Sequence, residues 1–169
     1  MTTDLLKRTV LFLLFLLGQV VVMGRIHLFG VATPLLYVYF VAMFPRHYPK
    51  WGILLWSFVL GLMVDTSTNT PGLASASMTL IAAVQPYLFE LFVPRNSPDT
   101  IQPSLWSVGP TRYSYYIIIL VLLYCTVFYT LELFSFFDLE YWFLSTIGSA
   151  GLTLALIFAF EIAIAESKK

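Results

Sequence analysis

One cysteine, Cys125, occurs in 169 residues, and it lies inside an apolar run. A disulfide framework is therefore excluded, and no CxxC or cysteine–histidine spacing suited to zinc exists. Charge is equally scarce. Asp, Glu, Lys and Arg make up 11% of the chain, and the formal net charge is zero. That balance gives no case for nucleic-acid binding. No charged residue occurs between Thr66 and Phe89. There is no glycine-rich phosphate loop, and no His or Asp is placed to activate Ser75 or Ser77. His27 and His47 have no metal-ligand companions at useful spacing. No catalytic, metal or cofactor residues are expected. Strand alternation is missing too, and the apolar runs outlast the ~10 residues of a barrel strand.

What the chain has in excess is apolar side chain. Hydrophobic residues reach 59%, with a mean hydropathy of +0.86. A soluble domain this small has too much surface to hide that content. The sequence therefore predicts an all-α integral membrane protein, a compact bundle of about six transmembrane helices forming one polytopic domain. The expected spans cover 9–23, 28–44, 51–67, 73–93, 113–131 and 141–162. The first follows Lys7 and Arg8 as a signal peptide would. It lacks small residues at a cleavage point, so a retained helix is expected.

Local chemistry sets the joints. Pro45 and Pro49 stop one helix and restart the next. In Thr68-Asn-Thr-Pro-Gly72, Thr70 is placed to cap the following helix, with Pro71 at its first position. Pro86 should bend the fourth span. The proline-rich stretch from Pro94 to Arg112 reads as a loop, with Leu105 and Trp106 able to dip back to the interface. With six spans, Lys7, Arg8, Arg46, Lys50, Arg95, Arg112, Lys168 and Lys169 fall on one side and Arg25 alone on the other. Basic residues favour the cytoplasmic side, so both termini are expected there, with Asp65 and the acidic connection around Asp138 outside.

Within this frame Asp65 is the sharpest candidate. It closes an apolar run, so burial would require a partner. Donors from its own turn (Ser67, Thr68), Asn69, Gln19 or a group on another protein all fit. Turn formation, partner contact and ion coupling therefore remain open for it. Glu90 reads as an interfacial carboxylate or an intramembrane polar contact. Glu161 is similar, with Arg46 or Lys50 as candidate partners. Gly61, and Gly72 paired with Ala76, offer close helix approach. Gly151, Ala155, Ala159 and Ala163 recur every fourth residue and line one face with little bulk, a candidate helix-contact face.

The stretch Arg25-Ile-His-Leu-Phe-Gly30, the segments TPLLYVYF and FPRHYPKW, and FVLGLMVDTSTNTPGLASASMTLIA resemble the bacterial rod shape-determining protein family MreD. Phe58, Gly61, Asp65, Gly72 and Ala74 carry the pattern. The likeness covers the first four spans by residues and the last two by length and topology. It implies a non-enzymatic scaffold or regulator of lateral cell-wall elongation in the bacterial inner membrane. An MreC-like membrane protein would be its direct partner. MreB-like filaments, a RodA-like glycosyltransferase and its transpeptidase would be reached through that partner. The resemblance also implies a fold akin to the vitamin-binding components of energy-coupling transporters. The competing expectation is a small-solute transporter component. Its pocket would lie near the outer ends of spans 3 and 4, lined by Asp65, Asn69 and Ser75, with Tyr37 close by.

Overall fold

The computed structural model describes residues 2–23, 33–94, 97, 101–133 and 139–167. Arg25, His27, Arg95, Asp138, Lys168 and Lys169 lie outside the described residues. Every regular element among the described residues is a helix: α1 Thr2–Met23, α2 Val38–Ala42, α3 Lys50–Thr68, α4 Leu73–Phe92, α5 Leu105–Val108, α6 Pro110–Leu133 and α7 Leu139–Ser167. Three helical stretches, Lys50–Thr68, Pro110–Leu133 and Leu139–Ala163, are long and apolar enough to cross a membrane. Arg8–Val21 is a shorter apolar helix. Helix α4 is comparable in length to α3, but Gln85 and Glu90 lower its hydropathy.

The helices pack as a chain of neighbours. Contact is most extensive between α3 and α4, then between α4 and α6, and between α6 and α7. Helix α1 lies against α3. The expected stretches 9–23, 51–67, 73–93, 113–131 and 141–162 fall on α1, α3, α4, α6 and α7, with α1 starting earlier than expected. Helix α4 runs unbroken through Pro86. The proline-rich loop contains one short helix, α5, closed by a capping box between Ser104 and Ser107. Trp106 in it is exposed, and Leu105 packs against the core.

The second expected span is a correction. Among the described residues of 28–44, only Val38–Ala42 is helical. Residues 33–35 are not, consistent with Pro34 lacking an N–H and disfavouring helix before it. Yet the segment is deeply buried: Leu35, Tyr37, Val38 and Val41 have no exposed surface. It runs antiparallel to α1. Gln19 contacts Pro34 and Leu36, Phe15 contacts Tyr39 and Phe40, Phe12 contacts Phe40, and Arg8 lies over the Phe44 and Tyr48 rings.

Irregular backbone in an apolar interior must find hydrogen-bond partners in the surrounding protein. Here side chains from four helices supply them. Gln19 of α1 donates to the Pro34 carbonyl (3.0 Å) and accepts from the Leu36 amide (3.1 Å). The Thr33 and Leu35 amides donate to Ser149 and Thr153 of α7, both at 3.0 Å. Tyr116 of α6 donates to the Ala42 carbonyl, and Gln85 of α4 donates to the Phe44 carbonyl.

Candidate functional site

Asp65 sits in the last turn of α3 and is 4% exposed. Its carboxylate reaches across the turn to the start of α4. Oδ1 accepts from the Ala74 amide at 2.7 Å, and Oδ2 accepts from the Ser75 amide at 2.9 Å and the Ser75 hydroxyl at 2.8 Å. Thr70 adds a longer contact of 3.4 Å to Oδ1. The first amides of any helix lack intrahelical acceptors, and a negative charge there also meets the positive end of the helix dipole. The residue preceding α4 is Gly72, which has no side chain to serve as a cap. Asp65 takes over that task from the neighbouring helix.

The expected donors and the actual ones differ. Ser67 and Thr68 donate back along α3, to the Met63 and Val64 carbonyls, rather than to Asp65. Gln19 is committed to residues 34 and 36. Thr70 does not cap α4, and Pro71 is not its first residue: the helix starts at Leu73, after Gly72, and the Thr70 hydroxyl contacts Thr68 and Asp65. Asn69 is exposed and occupies the left-handed region at the end of α3, with φ of 54°. Its role in the turn is therefore carried by its backbone.

The two glycines of the hairpin do different jobs. A Cβ on Gly61 would stand 2.5 Å from the Ser75 Cα and 2.8 Å from the Ala74 carbonyl oxygen. Backbone contact between α3 and α4 at this level thus requires glycine. Gly72 meets nothing within 4 Å, and its φ of 90° shows why glycine stands there. It shapes the turn, not a close helix approach as expected.

Beside this turn lies an open cavity of about 320 Å³. Its wall combines Tyr37 and Phe128, the aliphatic Val20 and Val64, the hydroxyls of Ser67 and Thr68, and the Glu132 carboxylate. The position matches the expected pocket at the ends of spans 3 and 4, and Tyr37 lines it. Asp65, Asn69 and Ser75 do not. Asp65 and Ser75 are turned toward each other instead. Residues 19, 33, 128 and 132 complete the cavity from segments far apart in sequence, which no local motif reveals.

The opposite end of the hairpin carries Arg46 and Lys50. Arg46 pairs with Glu90 at 2.9 Å, with Glu90 well exposed. Lys50 donates to the Tyr87 hydroxyl and lies over its ring. Glu161 does not join them. It is 7% exposed, and its Oε1 accepts from the hydroxyls of Tyr39 and Tyr113, the latter at 2.5 Å. Of the three tyrosines near the start of α6, Tyr113 and Tyr116 are buried and Tyr115 is exposed.

Helix α7 corrects the expected contact face. Gly151, Ala155, Ala159 and Ala163 are exposed, and a Cβ on Gly151 would meet nothing within 4 Å. The helix packs inward through Ser145, Ser149, Thr153, Ile157 and Glu161, a second row at fourfold spacing. Polar side chains in an apolar helix face the bundle interior, where partners are available. That signal was present in the sequence and favours this row over the alanines.

Among the described residues no group of His, Cys, Asp and Glu is arranged to hold a metal ion. No family model, no curated protein and no solved structure matches the chain.

Proposed function

We propose that the chain is a membrane-embedded, non-enzymatic scaffold of the MreD type. It binds an MreC-like membrane protein in the machinery of lateral cell-wall elongation. In this reading the chain crosses the bacterial inner membrane six times, with both termini cytoplasmic. Residues 33–48 supply the second crossing although little of it is helical.

The observation that carries the reading is the outward row of Gly151, Ala155 and Ala159, which no element of the chain covers among the described residues. Within lipid, helices associate where small residues let backbones approach, so this row suits a transmembrane helix of the partner. Arg8, Arg46 and Lys50 lie at one end of the bundle, which supports the orientation.

The test is co-purification from membranes in mild detergent. An MreC-like protein should be recovered with the wild-type chain, and Ala155→Leu and Ala159→Leu should reduce that recovery without lowering the melting temperature. Undiminished recovery with both leucines in place would remove this face from the interface. Absence of any MreC-like protein would remove the reading itself.

The cavity beside the Asp65 turn favours a second reading, capture of a small solute. Its volume of about 320 Å³ lies at the lower end of the range for small-molecule sites.

A further inference from the structure

We propose that the cavity between α1, α3 and α6 binds a small organic amine in its protonated form, an inference that rests on the solute-capture reading. The chemistry of the wall selects the class of ligand. Ser67 and Thr68 donate their hydroxyl hydrogens to the Met63 and Val64 carbonyls, at 2.9 and 3.0 Å. A hydroxyl has one hydrogen and two lone pairs, so each presents only acceptor capacity to the cavity. Glu132 adds a carboxylate that has no hydrogen-bond or ion-pair partner among the described residues. Of the described cations, Arg8, Arg46 and Lys50 are grouped away from the cavity, with Lys50 and Asp65 at opposite ends of α3, and Arg112 and Glu132 stand at opposite ends of α6.

Among the described residues this wall offers an anion little beyond the Gln19 amide, set against these lone pairs and a carboxylate without a partner. It gives an ammonium group both charge and acceptors. The rest of the wall combines Val20, Val64, Ala74, Tyr37 and Phe128 with the polar Gln19, Thr33 and Thr70. It suits a hydrocarbon or ring body, and the aromatic faces also favour a cation. Glu132 is exposed enough to meet the ligand from water, while Tyr37, Val64 and Phe128 are buried.

The experiment uses the full chain in detergent and three probes of one shape: 3-phenylpropylamine, 3-phenylpropanol and 3-phenylpropionate. Binding is followed by titration calorimetry. The amine should bind with one molecule per chain, the alcohol more weakly, and the carboxylate without detectable heat. Glu132→Gln should weaken the amine about tenfold, the scale of one charge-assisted hydrogen bond, and leave the alcohol unchanged. Ser67→Trp fills the cavity from an exposed position and should abolish binding at unchanged melting temperature. Equal affinity for amine and alcohol, or an unaltered amine affinity in Glu132→Gln, would overturn the amine assignment while leaving solute capture standing. Failure of all three probes to bind the wild-type chain would overturn both.

Discussion

Ser75 meets Asp65 twice, its amide and its hydroxyl both donating to Oδ2. Together with the Ala74 amide on Oδ1, this fastens the start of α4 to the end of α3. The carboxylate uses both oxygens as acceptors, and that requirement distinguishes it from an amide.

Asp65→Asn should therefore lower stability by about 1–3 kcal/mol, because its NH₂ group faces donors on one side. Asp65→Leu should cost more, since it leaves two amides and a hydroxyl unpaired in a buried position. Thermal unfolding in detergent checks the order. An Asn variant as stable as wild type would show that one oxygen suffices.

The adjacent glycine provides a sharper steric test. Gly61→Ala should cost roughly 1–3 kcal/mol, because α3 and α4 must separate to admit the methyl group. Gly151→Ala is the matched control on an open face. It should be neutral or stabilise by about 0.5–1 kcal/mol through helix propensity. Equal melting temperatures for the two alanine variants would contradict the close approach at Gly61.

Gln19→Leu keeps much of the side-chain volume but strips the Pro34 carbonyl and the Leu36 amide of their partners. Hydrogen exchange read by mass spectrometry should show faster exchange at residues 33–44, with the α3–α4 hairpin unchanged. Uniform acceleration across the chain would mean that Gln19 supports the whole bundle instead.

Glu161 accepts from two buried tyrosines, Tyr39 and Tyr113. Glu161→Gln retains an acceptor and should be tolerated better than Glu161→Leu, which leaves both hydroxyls buried without it. Melting temperatures should fall in the order wild type, Gln, Leu. A leucine variant at least as stable as the glutamine one would show that the hydroxyls find other acceptors.

Much of the hairpin was legible in the sequence because its signals are local. Asn69, Pro71 and Gly72 mark the turn within a few residues, and the boundaries of α3 and α4 follow. The cap on α4 was not legible, since Asp65 lies eight or more residues from the amides it binds. The second span misled for a related reason. Its apolar run has the length of a helix, but the backbone bonds that hold it come from Gln19, Gln85, Tyr116, Ser149 and Thr153. Nothing in residues 28–44 encodes those partners. On α7 two rows compete at the same spacing, and bulk alone does not say which one packs within the chain. The hydroxyls of Ser149 and Thr153 decide between them by their need for a buried partner.

The irregular segment also constrains the order of assembly. Thr33 and Leu35 obtain their acceptors from residues 149 and 153, more than a hundred positions later in the chain. As the polypeptide leaves the ribosome, those amides stay without their final partners until α7 has been made. The segment can settle only after α7 has arrived, so this buried stretch is completed later than the helices that precede α7 in the chain.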